Sequence, residues 1–178
     1  MKQSNMNLNY QELLPGNFAP ESRVWIYQAN RMFSLSEVLE VEDMVNEFVD
    51  SWHSHGVPVL GFGTVFFGQF ILLIADESAS GVSGCSTDSS VRLIKAIEGQ
   101  LAVDLFDRQL LAFLVEGKVQ LLHLARIEYA IKHNYIIGES LFFDNSVSDL
   151  ADLTNHWIVP AKESWLARRF SFRNEITS

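Results

Sequence analysis

Cysteine is nearly missing from this chain: Cys85 is the only one among 178 residues. No internal disulfide framework can form from it, and a lone thiol fits a reducing compartment. Cations are scarce as well. Thirteen Lys and Arg against 22 Asp and Glu leave a formal net charge of −9. That balance excludes an obvious nucleic-acid partner, because affinity for a phosphate backbone is built from clustered cations that displace counterions. The densest basic group, Arg168, Arg169 and Arg173, reads as the decorated end of a surface helix. Long apolar runs are missing too. The longest, Phe70 to Ala75, falls far short of the ~20 residues of a membrane helix, and the polar first ten residues hold nothing like the apolar core of a secretory signal. The expectation is a cytoplasmic chain with no membrane span.

Apolar residues are plentiful, at 48% hydrophobic and 12% aromatic, enough for one buried core at this length. The chain is therefore expected to form a single α+β domain over residues 21–170. An N-terminal tail, 1–20, is broken by Pro15, Gly16 and Pro20, and a short C-terminal tail covers 171–178.

Within the domain, Arg23 to Ala29 is branched and aromatic, the composition of a strand. Ser34 with Glu37 forms a capping box ahead of a helix whose apolar face runs Val38, Val41, Val45, Phe48 and Trp52, with Gly56 and Pro58 as its stop. Val57–Phe67 and Gln69–Ala75 read as a hairpin turning near Gly68, and Gly61 and Gly63 suggest a bulge. Asp88 is the expected N-cap of a second helix carrying Val91, Ile94, Ile97, Leu101 and Leu105. A further hairpin, Leu110–Val115 and Val119–Leu124, turns at Glu116-Gly117-Lys118. The order strand, helix, strand, strand, helix, strand is the split βαβ pattern of a ferredoxin-like antiparallel sheet, extended by a fifth strand. Beyond it the pattern predicts a helix near Arg126–His133, a strand at Leu141–Phe143, a helical turn opened by Ser148, and a last short helix around Trp165. The four tryptophans, Trp25, Trp52, Trp157 and Trp165, read as core and seam packing.

Three segments, Arg23 to Arg31, Gly84-Cys85-Ser86-Thr87-Asp88-Ser89-Ser90-Val91-Arg92 and Trp157 to Ala161, resemble a small family of uncharacterised bacterial proteins, often labelled ABC transporter ATPases. The resemblance covers residues 15 to 170 and implies no activity. The ATPase label fails a physical test. A P-loop needs G-x-x-x-x-G-K-[ST] to cradle phosphate, whereas the one Gly-Lys pair, Gly117-Lys118, is followed by Val119 and has Ala112 at the first glycine position. The dinucleotide pattern G-x-G-x-x-G fails too, with Phe66 in the place of its third glycine.

The split βαβ order brings reactive residues to one sheet edge. Asp76 and Glu77 close the third strand, His53 and His55 follow the first helix, and Cys85, Ser86, Asp88 and Ser89 enter the second. A thiol at a helix start is favoured as thiolate. Cys85 is thus a candidate nucleophile, with His53 or His55 as its base and Asp76, Glu77 or Asp88 orienting the imidazole. Each residue also has a plainer role. Free cysteine packs well in cores, Ser86 to Ser90 suit helix capping, and a histidine at a helix end satisfies its last carbonyls. At the opposite edge Gln28, Asn30 and Arg31 are candidates for a small anion. The metal-ligand spacings H-E-x-x-H and C-x-x-C are missing, so neither a metal nor a cofactor is expected. The sequence leaves three functions open: a non-enzymatic module binding a small ligand or a protein at the Cys85 loop, a cysteine-dependent group-transfer or hydrolytic enzyme, and a structural subunit, with a homo-oligomer as one possible partner arrangement.

Overall fold

The computed structural model describes residues 6–54, 56–78 and 85–172, with backbone alone at 54 and 85–87. Branched and aromatic residues form strand β1, Arg23–Gln28. Helix α1, Leu35–Asp50, starts with the capping box: Glu37 N donates to Ser34 Oγ at 3.3 Å and Ser34 N to Glu37 Oε2 at 2.8 Å. It stops two residues before Trp52, expected on its face. Trp52 leaves the helix and is buried, its ring 4.8 Å from that of Phe48 and 5.6 Å from that of Trp25. A residue that the core demands carries the helical spacing past the helix's end. A two-stranded ribbon follows, β2 at His53–Ser54 and β3 at Val57–Pro58, so His53 belongs to a strand.

Strands β4, Leu60–Phe66, and β5, Phe70–Asp76, form the expected hairpin. Phe67 and Gly68 both take positive φ, 55° and 62°, and Gln69 N donates to Phe66 O at 3.1 Å, as in a type I′ turn. The bulge expected at the glycines is not there. The register runs without an extra residue from Leu60 opposite Asp76 to Phe66 opposite Phe70. The glycines serve packing instead: a Cβ at Gly63 would fall on Val45 of α1, and one at Gly61 would lie 2.8 Å from the Trp52 ring.

Helix α2, Cys85–Leu101, begins three residues before its expected cap. Asp88 sits within the first turn, where a carboxylate favours the positive end of the helix dipole. The helix ends at Ala102, which takes φ 53°. Leu105, expected on the helix, is buried beyond its end.

The chain divides into two compact units. The first is Leu8–Asp107 with Val147–Thr154; the second is built mainly of Arg108–Ser146 and the chain from Asn155 onward. In the first, the antiparallel sheet has the order β1-β5-β4. Its core joins Tyr27, Ile71 and Leu73 of the sheet to Val41 and Val45 of α1 and Ile94 and Ile97 of α2. Tyr10 is buried in the same unit, its hydroxyl donating to Leu153 O at 2.7 Å.

The second unit holds β6, Leu110–Val115, and β7, Lys118–His123, joined through Glu116 and Gly117 at φ 50° and 74°. Then come α3, Ile127–Lys132, and β8, Leu141–Phe143. Helix α4, Leu150–His156, which lies in the first unit as far as Thr154, precedes β9, Ile158–Pro160, and α5, Leu166–Arg169. The sheet order is β7-β6-β8-β9, antiparallel throughout.

The result is a mixed α+β protein with two antiparallel sheets. The fourth strand of the expected ferredoxin-like sheet does not join the first one. Both edges of β6 are taken, by β7 and β8. On the outer side of β1, Val24 N donates to Ser148 O at 3.0 Å and Arg23 bridges Asp149, so the returning segment occupies the position that a fourth strand would fill. Among the described residues no helix is long and apolar enough to cross a membrane.

Candidate functional site

The singled-out residues lie in three places of the first unit. At the end of β5, Asp76 is a tie between segments. Its Oδ2 accepts Ala19 N at 2.9 Å, and its Oδ1 accepts both Ser78 N at 3.0 Å and Ser78 Oγ at 2.6 Å. The Ser78 hydroxyl, then the amides of Ala19 and Ser78, hold the carboxyl below the usual range. Glu77 lies 4.0 Å from the Arg23 guanidinium.

Of Gln28, Asn30 and Arg31, the last two work as a clasp. Arg31 donates through Nη1 and Nη2 to the two oxygens of Glu37, at 2.8 and 2.9 Å, and through Nη2 to Leu101 O at 2.9 Å. These bonds, followed by the Ser34 amide, lower the Glu37 carboxyl from 4.5 to about 2, while Glu37 raises the guanidinium further. Asn30 exchanges two bonds with Asp104, both at 3.0 Å. Gln28 is buried. The fork that could have gripped an anion thus grips the start of α1 and the end of α2.

The third place is the groove between α1 and α2. β2, with His53, packs against α2, and the His53 ring Nδ1 lies 2.6 Å from Ser51 O. Ser89, half-buried, lines a groove of about 450 Å³ with Glu47, Phe48, Ser51 and Arg92, while Asp88 is exposed. His55 and the side chains of Cys85 and Ser86 lie outside the described residues, so the nucleophile and base have no described distance between them. Among the described residues no three His, Cys, Asp or Glu converge as a metal site requires.

The second unit contains a hollow that the sequence reading passed over. β6 and β7 supply Phe113, Val115 and Leu122, and α3 supplies Tyr129 and Ala130. The helix then reverses. Asn134 takes φ 58°, and the amides of Tyr135 and Ile136 both return to Ala130 O, at 2.9 and 3.3 Å, a left-handed helix ending of the kind asparagine tolerates. This reversal sets Tyr135 and Ile136 on the same hollow, about 510 Å³ in volume. The Tyr129 ring stacks on His133 at 4.0 Å and 26°, with Tyr135 nearly parallel at 6.4 Å from His133. Tyr129 and Tyr135 remain 56% and 69% exposed, far more than packing rings would be. The missed signal is Tyr129-x-x-x-His133-x-Tyr135, an aromatic stripe around an asparagine helix stop.

No family model, curated protein or solved structure matches the chain.

Proposed function

We propose that the protein is a binding module for a small, largely apolar molecule, and that the molecule sits in the hollow between the β6–β7 hairpin and α3. One observation carries this reading: a cavity of about 510 Å³, walled by Phe113, Leu122, Tyr129, Tyr135 and Ile136, within the size and apolar character of small-molecule sites. The half-exposed rings at its rim offer contact area at low entropic cost, since each has few rotors to immobilise. Val115→Trp adds bulk at the strand end lining the cavity. Ligands found by a thermal-shift screen should lose at least tenfold in affinity in this variant, with its circular dichroism unchanged. Hits that bind it equally well would remove the hollow as their site.

A second reading is favoured by a different observation: Cys85 opens the seventeen-residue α2, and β2, which carries His53, packs against that helix. It is a cysteine-dependent group-transfer or hydrolytic enzyme, with Cys85 as nucleophile and His53 or His55 as base. With one cysteine in the chain, every mass added by iodoacetamide reports on that thiol. Labelling with a midpoint well below the free-thiol value of about 8.5 supports this reading, and labelling only on unfolding overturns it.

We further infer that the β1-α1-β4-β5-α2 portion is a ferredoxin-like arrangement lacking its last strand, and that the chain works in a bacterial cytoplasm. Kinship with the bacterial family that Arg23–Arg31, Gly84–Arg92 and Trp157–Ala161 resemble is proposed on those segments alone. P-loop ATP hydrolysis is not proposed.

A further inference from the structure

The chemistry of the hollow's rim narrows what it binds. Of the residues lining it, Arg126 alone carries a charge. Its side chain is exposed, at the junction between β7 and α3, and makes no hydrogen bond or ion pair with another described residue. Arg31 and Lys162, by contrast, each hold a glutamate. A planar guanidinium beside apolar surface matches a carboxylate by two parallel hydrogen bonds. The Gln120 amide in the same lining is neutral, and Tyr129 and Tyr135 add hydroxyls.

We propose that the ligand of this hollow is an aromatic monocarboxylate, its ring beside Tyr129 and Tyr135 and its carboxylate paired with Arg126. This rests on the reading of the hollow as the binding site. A single cation at the rim matches a single negative charge. A dianion such as a phosphate monoester would find no second cation in the lining for its second charge. The two exposed rings in the lining, Tyr129 and Tyr135, favour a flat ligand, because ring pairs gain from offset and edge-to-face contacts that an alkyl chain does not make.

Calorimetry with three probes tests this: 2-naphthoate, its neutral isostere 2-naphthamide, and octanoate, which has the charge without the ring. On the unaltered protein naphthoate should bind on the order of ten- to a hundredfold tighter than the amide, the worth of a charge-assisted hydrogen-bond pair. Arg126→Gln, at an exposed position, should erase that advantage while leaving amide binding unchanged. Equal binding of naphthoate and amide, untouched by Arg126→Gln, would overturn the carboxylate and leave the hollow standing as a neutral site. Octanoate binding as tightly as naphthoate would overturn the aromatic requirement. No binding by any probe, together with screening hits indifferent to Val115→Trp, would overturn the hollow itself. Loss of both naphthalene probes in Arg126→Gln, with amide resonances shifted across the sheet, would make Arg126 structural and end the proposal.

Discussion

Gly63 shows what a single hydrogen in place of a methyl group accomplishes here. α1 lies so near β4 that a Cβ would meet Val45 Cγ1, Leu73 Cδ2 and Val49 Cγ2 together; Val45 and Leu73 are buried in the core and Val49 packs against it. Gly63→Ala is expected to destabilise the fold by about 1–3 kcal/mol through overpacking, read by urea denaturation. Adding Val45→Ala should recover part of it, with the pair costing at least about 0.5 kcal/mol less than the sum of the single changes. Simple additivity would mean the helix shifts freely. That Gly61 and Gly63 are special is legible in the sequence. Their reason is not, because a close approach by a distant helix and a bulge ask for the same residue. Ala102 is the converse case, a helix end at positive φ with no glycine to announce it. Cys85, Ser86 and His55 can be named from sequence, but a reactive constellation is a matter of distances between side chains.

Among the elements, α1 has the clearest local code, and its start is also the most sensitive to acid. Glu37 is depressed to about 2 by Arg31 and the Ser34 amide. Since the folded value lies below the unfolded one, its contribution is fully present above pH ~5 and is lost as the pH falls from about 4.5 toward 2. The stability difference between the unaltered protein and Glu37→Gln should therefore be flat from neutral pH down to about 5 and shrink below that. A difference that persists at pH 2 would assign the effect to packing. The same helix guards an edge. Glu42 Oε1 accepts Thr64 Oγ1 at 2.8 Å and Val65 N at 2.6 Å, on the side of β4 that no described strand pairs. A carboxylate at a strand edge both satisfies an amide and discourages another strand from docking. Glu42→Ala should cost about 1–2 kcal/mol and bring concentration-dependent association in sedimentation velocity; a variant that stays monomeric would show that β4 is protected by something else. The hairpins were readable because turn chemistry is local. β9 was not, since three residues ending in Pro160 carry no periodicity, and a proline at a sheet edge is tolerated without being a signal.

For the molecule as a whole, the order of elements was legible and their partnership was not. Apart from the short β2–β3 ribbon, strand, helix, strand, strand, helix, strand does occur along the chain, but whether the last of these strands completes the first sheet or founds a second depends on which edges are already taken. The edge of β1 is covered by Ser148 and Asp149, held by Leu150 N donating to Ser22 O and Ala151 N to Pro20 O, both at 2.9 Å. No local pattern announces that pairing across well over a hundred residues. The hollow beside α3 escaped notice for a related reason, since its walls come from a hairpin, a helix and the reversal after it, each ordinary on its own.

The segment that covers β1 is also a matter of timing. On a ribosome, Leu8–Asp107 emerges complete except for Val147–Thr154, which the first unit needs to finish its sheet edge and to meet Tyr10. At ordinary synthesis speeds the nascent chain waits roughly two to ten seconds for that piece, with a bare strand edge of the kind that recruits neighbours. The stretch between Asp107 and Val147 thus sets a delay during which the outer edge of β1 lacks the segment that covers it.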